Sequence, residues 1–156
     1  MTAEQRAILE GRAVLLYDGH CGFCDGLVRF CALRDPLSRM LYVPLQSELG
    51  RELLGRYRET PESLESIALF LHALTGKERF YTYSDAVSQA LRQLRAPWKW
   101  VGRLVQWTPR FLREAVYRFV ARVRYRIFGR YSNCPIPTTE IRSRFLGVTD
   151  AGCAQA

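Results

Sequence analysis

Apolar residues along the first 95 positions form short continuous runs, separated by stretches in which they recur at helical spacing. Continuous runs of this length are typical of buried strands, while apolar positions at i, i+3 or i+4, and i+7 predict one face of a helix. The runs predict strands at 13–17, 40–43, 66–72 and 79–83, the last two joined by a turn at 75–77. The helical spacing predicts helices over 23–34, 49–57 and 87–94, the second with an N-cap at Ser47 and the third at Ser84-Asp85.

The resulting order over residues 13–95, β-α-β-α-β-β-α, predicts an α/β fold. A strand, a crossover helix and a parallel strand, followed by a hairpin and a covering helix, is the thioredoxin-like layout. After Pro97, residues 97–130 predict two helices broken at Thr108-Pro109. We therefore expect a single domain over 1–156, with a thioredoxin-like core at 13–95 and a basic helical extension at 97–147 packed on it.

Composition agrees with a folded chain, and charge adds an asymmetry. The 156 residues are 48% hydrophobic, which excludes a disordered chain, and the net charge is +8. Residues 1–90 hold 10 basic and 12 acidic side chains, whereas residues 91–156 hold 13 basic and 3 acidic ones. The two parts therefore carry −2 and +10, so the charge is concentrated in the predicted extension.

The chain's first residues and its cysteines favour the cytoplasm. Residues 1–12 lack the apolar core of a secretory signal, and Glu4 and Glu10 argue against a transit peptide. Five cysteines are an odd number in a chain of this size, unlike a secreted disulfide scaffold. In a reducing compartment, closely spaced cysteines more often serve catalysis or metal binding than structural bridges.

The first predicted strand runs directly into Cys21-Gly22-Phe23-Cys24, and the first core helix begins within this motif. The positive end of a helix dipole favours a thiolate over a thiol. We expect the sulfur of Cys21 to be reachable by an incoming disulfide, and Cys24, one turn on, to attack the mixed disulfide. Cys21 is therefore the predicted nucleophile and Cys24 the resolving thiol, and the pair is expected to form a redox-active disulfide without a cofactor.

Two residues before Cys21 are further candidates. His20, when protonated, would lower the pKa of Cys21 further, or it is simply an exposed turn residue. Asp18 would oppose a thiolate by its charge, so it either accepts the proton of Cys24 or caps the helix, and the cap is favoured. Cys31 lies seven residues after Cys24, on the same helical face, and is interpreted as an inert core residue.

The segment 16–24, with its D-x-x-C-x-x-C pattern, resembles the DCC family of predicted thiol-disulfide oxidoreductases. Further segments that resemble family blocks are 43–47, 83–87, 117–118, 121–122, 124–126 and 128–130. The resemblance spans about residues 13–137 and implies a thioredoxin-like fold with Asp18, Cys21 and Cys24 at the motif positions. One departure from thioredoxins proper is the segment 64–66 before the third strand, which has no proline where those proteins place a cis-proline.

The second helix of the extension has an apolar and a basic stripe at helical spacing. They are Val116, Phe119 (or Val120), Val123 and Ile127, and Arg118, Arg122 and Arg126. The favoured interpretation is a helix that covers the sheet with solvated arginines. The second is a docking surface for an acidic partner or a membrane surface. Nucleic acid is the least favoured partner, because no recognition fold accompanies the arginines.

Three functions are thus open. The leading one is a thiol-disulfide oxidoreductase acting on a protein or small-molecule thiol or disulfide. The second is a metal-binding module using Cys21, Cys24, Cys134 and His20, although structural zinc usually needs two close ligand pairs and only one is present. The third is a non-catalytic domain that docks through its basic helices. DCC relatives have a cysteine near position 134, which implies a third redox thiol there; an idle cysteine is the favoured alternative.

Overall fold

The computed structural model of the protein describes residues 1–60, 67–129 and 139–148. Seven helices and four strands lie in these ranges. In chain order they are α1 Ala3–Leu9, β1 Ala13–Tyr17, α2 Gly22–Arg34, β2 Met40–Pro44, α3 Glu48–Gly55, β3 Ile67–Leu71, β4 Arg79–Thr82, α4 Tyr83–Gln93, α5 Trp98–Trp107, α6 Arg110–Phe128 and α7 Thr139–Arg142. Among the described residues, no helix is long and apolar enough to cross a membrane.

The four strands form one sheet in the order β2-β1-β3-β4. β1 pairs in parallel with β2, so α2 is the predicted crossover helix, and β3 pairs antiparallel with both β1 and β4. β1 is buried at all five positions because each face of the sheet is covered. Leu15 and Tyr17 join the core beneath α2 and α4, while Val14 and Leu16 join the core beneath α1 and α3. The predicted α/β, thioredoxin-like class is confirmed.

One N-terminal feature, the helix α1, differs from the sequence prediction. α1 was not predicted; Thr2 and Gln5 form a capping box at its start, and Leu9 is buried in the core. The Ser47 cap of α3 is confirmed, since its side chain accepts a hydrogen bond from the N–H of Gly50 at 3.0 Å. The third predicted strand is confirmed from Ile67, while residues 61–66 and the tail from 149 lie outside the described residues.

The predicted Ser84-Asp85 cap of α4 is wrong. The helix begins at Tyr83, with Thr82 as an N-cap residue that makes no side-chain capping bond. The Ser84 hydroxyl instead donates to the Glu114 carboxylate on α6, and Asp85 forms an ion pair with Arg113 at 2.7 Å. Both side chains therefore fix α6 against α4.

The break between α5 and α6 at Thr108-Pro109 is confirmed, but the predicted buried stripe of α6 is wrong. Val116, Phe119 and Ile127 are 58%, 62% and 67% exposed, and only Val120 and Val123 of the stripe are half-buried. α6 packs chiefly on α2 and α4, which already cover the sheet, so it does not need an apolar face there. Its inward side instead has polar residues, among them Arg113, which pairs with Asp85 on α4, and Arg124, which bonds to Asp18 and contacts Cys24 on α2.

Gly50, in the first turn of α3, is required by a close approach of the backbone. A Cβ atom there would lie 2.3 Å from the carbonyl oxygen of Pro44 and 3.0 Å from that of Leu45, and neither can move like a flexible side chain. We expect Gly50→Ala to lower the free energy of unfolding by about 2 kcal/mol or more, measured by urea denaturation. Gly55→Ala, in the same helix with nothing within 4 Å, is the matched control and should be neutral or stabilising. Equal effects of the two substitutions would contradict the steric explanation.

Candidate active site

Cys21 and Cys24 lie where the first strand of the fold passes into its first core helix. β1 ends at Tyr17, Cys21 is the N-cap residue of α2, and Cys24 lies in the first helical turn. Among the described residues no side chain caps this helix end, so the positive end of the dipole faces the cysteines directly. The predicted placement of the motif at the start of the helix is confirmed.

Both sulfur-bearing side chains are buried. Cys21 is 0% exposed and Cys24 is 4% exposed, and both are free thiols. The expectation that the Cys21 sulfur is open to an incoming disulfide is therefore wrong for this conformation. The segment from Asp18 to Cys21 turns back onto the core, with the N–H of Cys21 bonded to the Asp18 carbonyl at 3.2 Å, so the cysteine lies inside the protein.

Asp18 lies at the centre of a hydrogen-bond network that joins three parts of the chain. One carboxylate oxygen accepts from the N–H of His20 at 3.0 Å and from the Gln46 amide at 2.9 Å. The other accepts from Arg124, at 3.4 Å, and from the Tyr125 hydroxyl. All four neighbours donate, which is the environment that an acceptor-only carboxylate requires.

The predicted cap by Asp18 is therefore wrong, because α2 has no side-chain cap and the Asp18 oxygens receive other donors. Gln46, from the loop after β2, also accepts from the N–H of Gly19 at 3.1 Å and so holds both Asp18 and the residue after it. His20 is half-buried, and the effect of its imidazole on Cys21 stays a prediction.

Arg124 connects this network to the dithiol. It is 3% exposed, and while one guanidinium nitrogen donates to Asp18, another lies 3.5 Å from the Cys24 sulfur. A buried arginine is costly unless it is paired and hydrogen-bonded, and here a carboxylate and a thiol supply the partners. Arg124 therefore places a fixed positive charge beside both cysteines.

The two thiols are shifted in opposite directions. A hydrogen bond from the Cys24 thiol is the largest cause that lowers the pKa of Cys21 to about 6; burial opposes it, and the Cys24 N–H and the charge of Arg124 add to it. The same hydrogen bond, together with burial, raises the pKa of Cys24 well above the ordinary cysteine value. The pair therefore consists of one thiolate-forming sulfur and one sulfur that keeps its proton.

A cavity of about 470 Å³ opens beside Cys24, between α2, α4, α5 and α6. Its lining is mostly apolar and includes Phe23, Leu27, Val87, Val105, Leu112 and Val120. Its polar lining residues are Ser84, Thr108, Arg113, Tyr117 and Arg124. The Tyr117 hydroxyl and two Arg113 nitrogens are buried with no hydrogen-bond partner among the described residues. The cavity thus combines an apolar body with donors that an acceptor group would satisfy.

Cys31 is the third cysteine that the structure describes. Cys31 is 2% exposed within the core, and burial raises its pKa to about 12, which confirms an inert core residue. Cys134 and Cys153 lie outside the described residues. Within the described ranges, no group of three or more histidine, cysteine or carboxylate side chains could hold a metal ion.

Sequence reasoning missed the individual importance of three residues, although each lies in a segment that resembles a family block. They are Gln46, Arg124 and Tyr125. A signal was present for one of them: Arg113, Tyr117 and Arg124 recur at i, i+4 and i+11, a polar stripe on one helix face that differs from the exposed ridge of Arg118, Arg122 and Arg126.

Comparison with known proteins finds a matching family model. A model of the family described as "DCC1-like thiol-disulfide oxidoreductase" matches residues 15–130, from β1 to the end of α6. The chain belongs to the DCC1-like family. The match contains the dithiol together with Asp18, Gln46 and Arg124, so the whole network lies inside the family's region. The family resemblance stated from the sequence is confirmed.

Two relatives of this DCC1-like protein cover most of its length. The uncharacterized protein YuxK of Bacillus subtilis (strain 168) is 37% identical over 146 residues, covering 94% of this chain and 99% of YuxK. A chloroplastic DCC family protein of Arabidopsis thaliana is 32% identical over 125 residues, covering 80% of this chain and 70% of the relative. No solved structure matches the chain.

Proposed function

We propose that this DCC1-like protein exchanges thiols and disulfides through Cys21 and Cys24, with Cys21 as the nucleophile. The observation that carries the proposal is the opposed pKa pair at the start of α2. Cys21 has a pKa of about 6, so it is mostly a thiolate at neutral pH, and Cys24 supplies the hydrogen bond that stabilises it. A thiolate with a neighbouring protonated thiol is what the two steps of disulfide exchange require.

In the first step the Cys21 thiolate attacks one sulfur of a substrate disulfide. A bond forms between the two sulfurs, the substrate's S–S bond breaks, and its second sulfur leaves as a thiolate. Cys24 then loses its proton and attacks the Cys21 sulfur, which forms the Cys21–Cys24 disulfide and releases the other substrate thiol. Two electrons pass from the dithiol to the substrate, and the reverse sequence oxidises a substrate dithiol.

Asp18 and Arg124 act as positioning residues in this proposal. The positive charge of Arg124 stabilises the thiolate of either cysteine. It stabilises the Cys21 thiolate in the first step and the Cys24 thiolate in the second. Asp18 accepts from one guanidinium nitrogen while another contacts Cys24, so Asp18 holds the guanidinium beside the dithiol. Transfer of the Cys24 proton to Asp18 stays a prediction.

Because Cys21 is buried, a substrate sulfur can reach it only after the residues that cover it have moved. The cavity beside Cys24 supports a substrate whose thiol or disulfide lies next to an apolar group, with an acceptor for Tyr117 and Arg113. Such a substrate is a small molecule or a protein side chain of that chemistry. The cytoplasmic location stays a prediction.

The proposal is tested by thiol trapping of the purified protein after equilibration at a series of glutathione redox potentials. We expect a Cys21–Cys24 couple that titrates reversibly as a two-electron step, with Cys21 alkylated fastest in the reduced form. Zinc bound in stoichiometric amount, shielding both thiols, would support the metal-binding alternative. Thiols that neither titrate nor bind metal would leave only the interaction domain.

The pKa of Cys21 gives a pH prediction. A thiolate reacts and a thiol does not, so alkylation of Cys21 by iodoacetamide should rise with pH through a midpoint near 6 and then level off. Cys24→Ala removes the largest cause of the shift and should move the midpoint up towards the ordinary cysteine value. Peptide-level mass spectrometry isolates the Cys21 signal, and Cys31→Ala is the matched control that keeps the midpoint. A wild-type midpoint at the ordinary cysteine value would contradict the thiolate assignment.

A further inference from the structure

In the described part of the chain, large apolar side chains are exposed on α5 and α6 far more than elsewhere. Sixteen such side chains are exposed in the described part of the chain, and eleven of them lie in residues 98–128. Trp107 is 88% exposed and Phe111 is 77% exposed. Exposed apolar residues scattered singly need no explanation, but a concentration of this kind marks an interaction surface.

These side chains follow helical spacing on both helices. Trp100, Leu104 and Trp107 recur at i, i+4 and i+7 on α5. On α6 the exposed positions recur at i, i+4, i+7 and i+15. They are Leu112, Val116, Phe119 and Ile127. We call these seven residues with Phe111, in the turn of α6 that follows Pro109, the outer face.

The two helices that form the outer face also contain many basic side chains. Residues 98–128 contain eight basic side chains and one acidic side chain, Glu114. Arg113 and Arg124 face inward and are paired with Asp85 and Asp18. The other basic residues are exposed: Lys99, Arg103, Arg110, Arg118, Arg122 and Arg126. The three arginines of the α6 ridge form no ion pair within the described residues, so their charge is available to a partner.

We propose that the outer face docks the protein on an anionic lipid surface, with α5 and α6 lying in the plane of the interface. A helix with an apolar stripe, a basic flank and tryptophan is the type that inserts its apolar side between lipid headgroups, while lysine and arginine contact the anionic groups. Tryptophan favours this level of a bilayer because its ring is apolar and its N–H remains wet.

The positive charge and the exposed apolar side chains of the outer face together favour an anionic lipid surface as its partner. A second copy of the chain would bring two faces of the same positive charge together, which costs free energy on association. A protein segment that is acidic throughout would satisfy the arginines and leave the apolar stripes in water. An anionic lipid surface satisfies both, since headgroups meet the basic ridge and acyl chains cover the apolar stripes.

The outer face also adjoins the candidate active site. Leu112 and Val116 are 48% and 58% exposed and also line the cavity beside Cys24, so this cavity opens at the rim of the outer face. Docking would therefore bring the cavity mouth to the lipid surface. The docking itself depends on the exposed helices alone and stands whether or not the dithiol is active.

Co-sedimentation with vesicles tests the docking with the full-length protein. We expect binding to phosphatidylcholine vesicles that contain phosphatidylglycerol, at least about tenfold weaker binding to pure phosphatidylcholine, and loss of binding at high ionic strength. On binding, the tryptophan emission should shift to shorter wavelength as Trp100 and Trp107 leave water.

Variants of exposed residues locate the surface without threatening the fold. The double variant L104S/F119S should weaken binding about tenfold or more, because two exposed apolar groups no longer enter the lipid. The matched control is L33S/L37S, which alters two exposed leucines, 58% and 66%, outside the outer face, and should bind like the wild type. Replacing Arg118, Arg122 and Arg126 with glutamine should remove the preference for phosphatidylglycerol.

Three results would overturn the proposal. One is binding that is equal to both vesicle types or absent from both. Another is an equal loss of binding in L104S/F119S and in L33S/L37S. The third is a stable dimer in solution that L104S/F119S dissociates, which would assign the outer face to a second copy of the chain. Circular dichroism and thermal unfolding of each variant verify that its fold is retained.

Discussion

Cys21→Ser is expected to reduce the rate of disulfide exchange to that of the uncatalysed reaction, a loss of at least about three orders of magnitude. A serine hydroxyl remains protonated at neutral pH and forms no stable bond with a disulfide sulfur, so the first step is lost. Reduction of a small aromatic disulfide by the reduced protein, followed by its absorbance, measures the rate. Serine has nearly the same shape as cysteine, so the variant should still bind the substrate. The nucleophile is lost, however, and the expected loss of rate is therefore large.

Cys24→Ser separates the roles of the two cysteines. This variant retains the Cys21 thiolate but cannot resolve the intermediate, so it should accumulate a mixed disulfide on Cys21 that mass spectrometry identifies. Cys31→Ala, in the core at 2% exposure, should keep the exchange rate while lowering stability modestly. If the mixed disulfide forms on Cys24 in Cys21→Ser as readily as on Cys21 in Cys24→Ser, the proposed assignment of nucleophile and resolving thiol is wrong.

The sheet and the dithiol position follow from local sequence. Continuous apolar runs identify β1 to β3 because a strand buried on both faces needs apolar residues at every position. The motif at Cys21 is recognisable because a continuous apolar run precedes it and apolar residues at helical spacing follow it. These are short-range patterns, which one sequence contains in full.

The rest of the site depends on distant contacts. Asp18 and Arg124 are 106 positions apart and meet only because α6 packs on α2 and α4. Arg124 is one of several arginines in α6. Which of them is buried depends on the angle at which α6 packs, and the sequence does not give that angle. The usual rule that the apolar stripe faces the core fails here, because the polar stripe bonds to α4 and to Asp18 while the apolar stripe is exposed.

The Asp18–Arg124 pair gives the second large expected effect. Both side chains are at least 93% buried, and replacing Arg124 with methionine would leave the Asp18 carboxylate with two neutral side-chain donors and no countercharge. Removing one member of a buried pair costs about 3 kcal/mol or more, whereas removing both charges costs much less. We expect R124M to lose about that amount in urea unfolding, and the double variant D18N/R124M to recover at least about half of it. Additive losses in this double-mutant cycle would contradict a coupled pair.

The same variants distinguish stability from thiolate chemistry. Arg124 lowers the pKa of Cys21 by its charge, so its loss should move the midpoint of Cys21 alkylation upward in R124M. In D18N/R124M the fold regains stability but the positive charge remains absent, so the upward shift should persist. Arg118→Met, at an exposed position of the same helix, is the matched control and should change neither quantity. If the double variant restores both the stability and the alkylation midpoint, Arg124 acts only by holding the fold together; if it restores stability alone, the charge of Arg124 acts on the Cys21 thiolate directly.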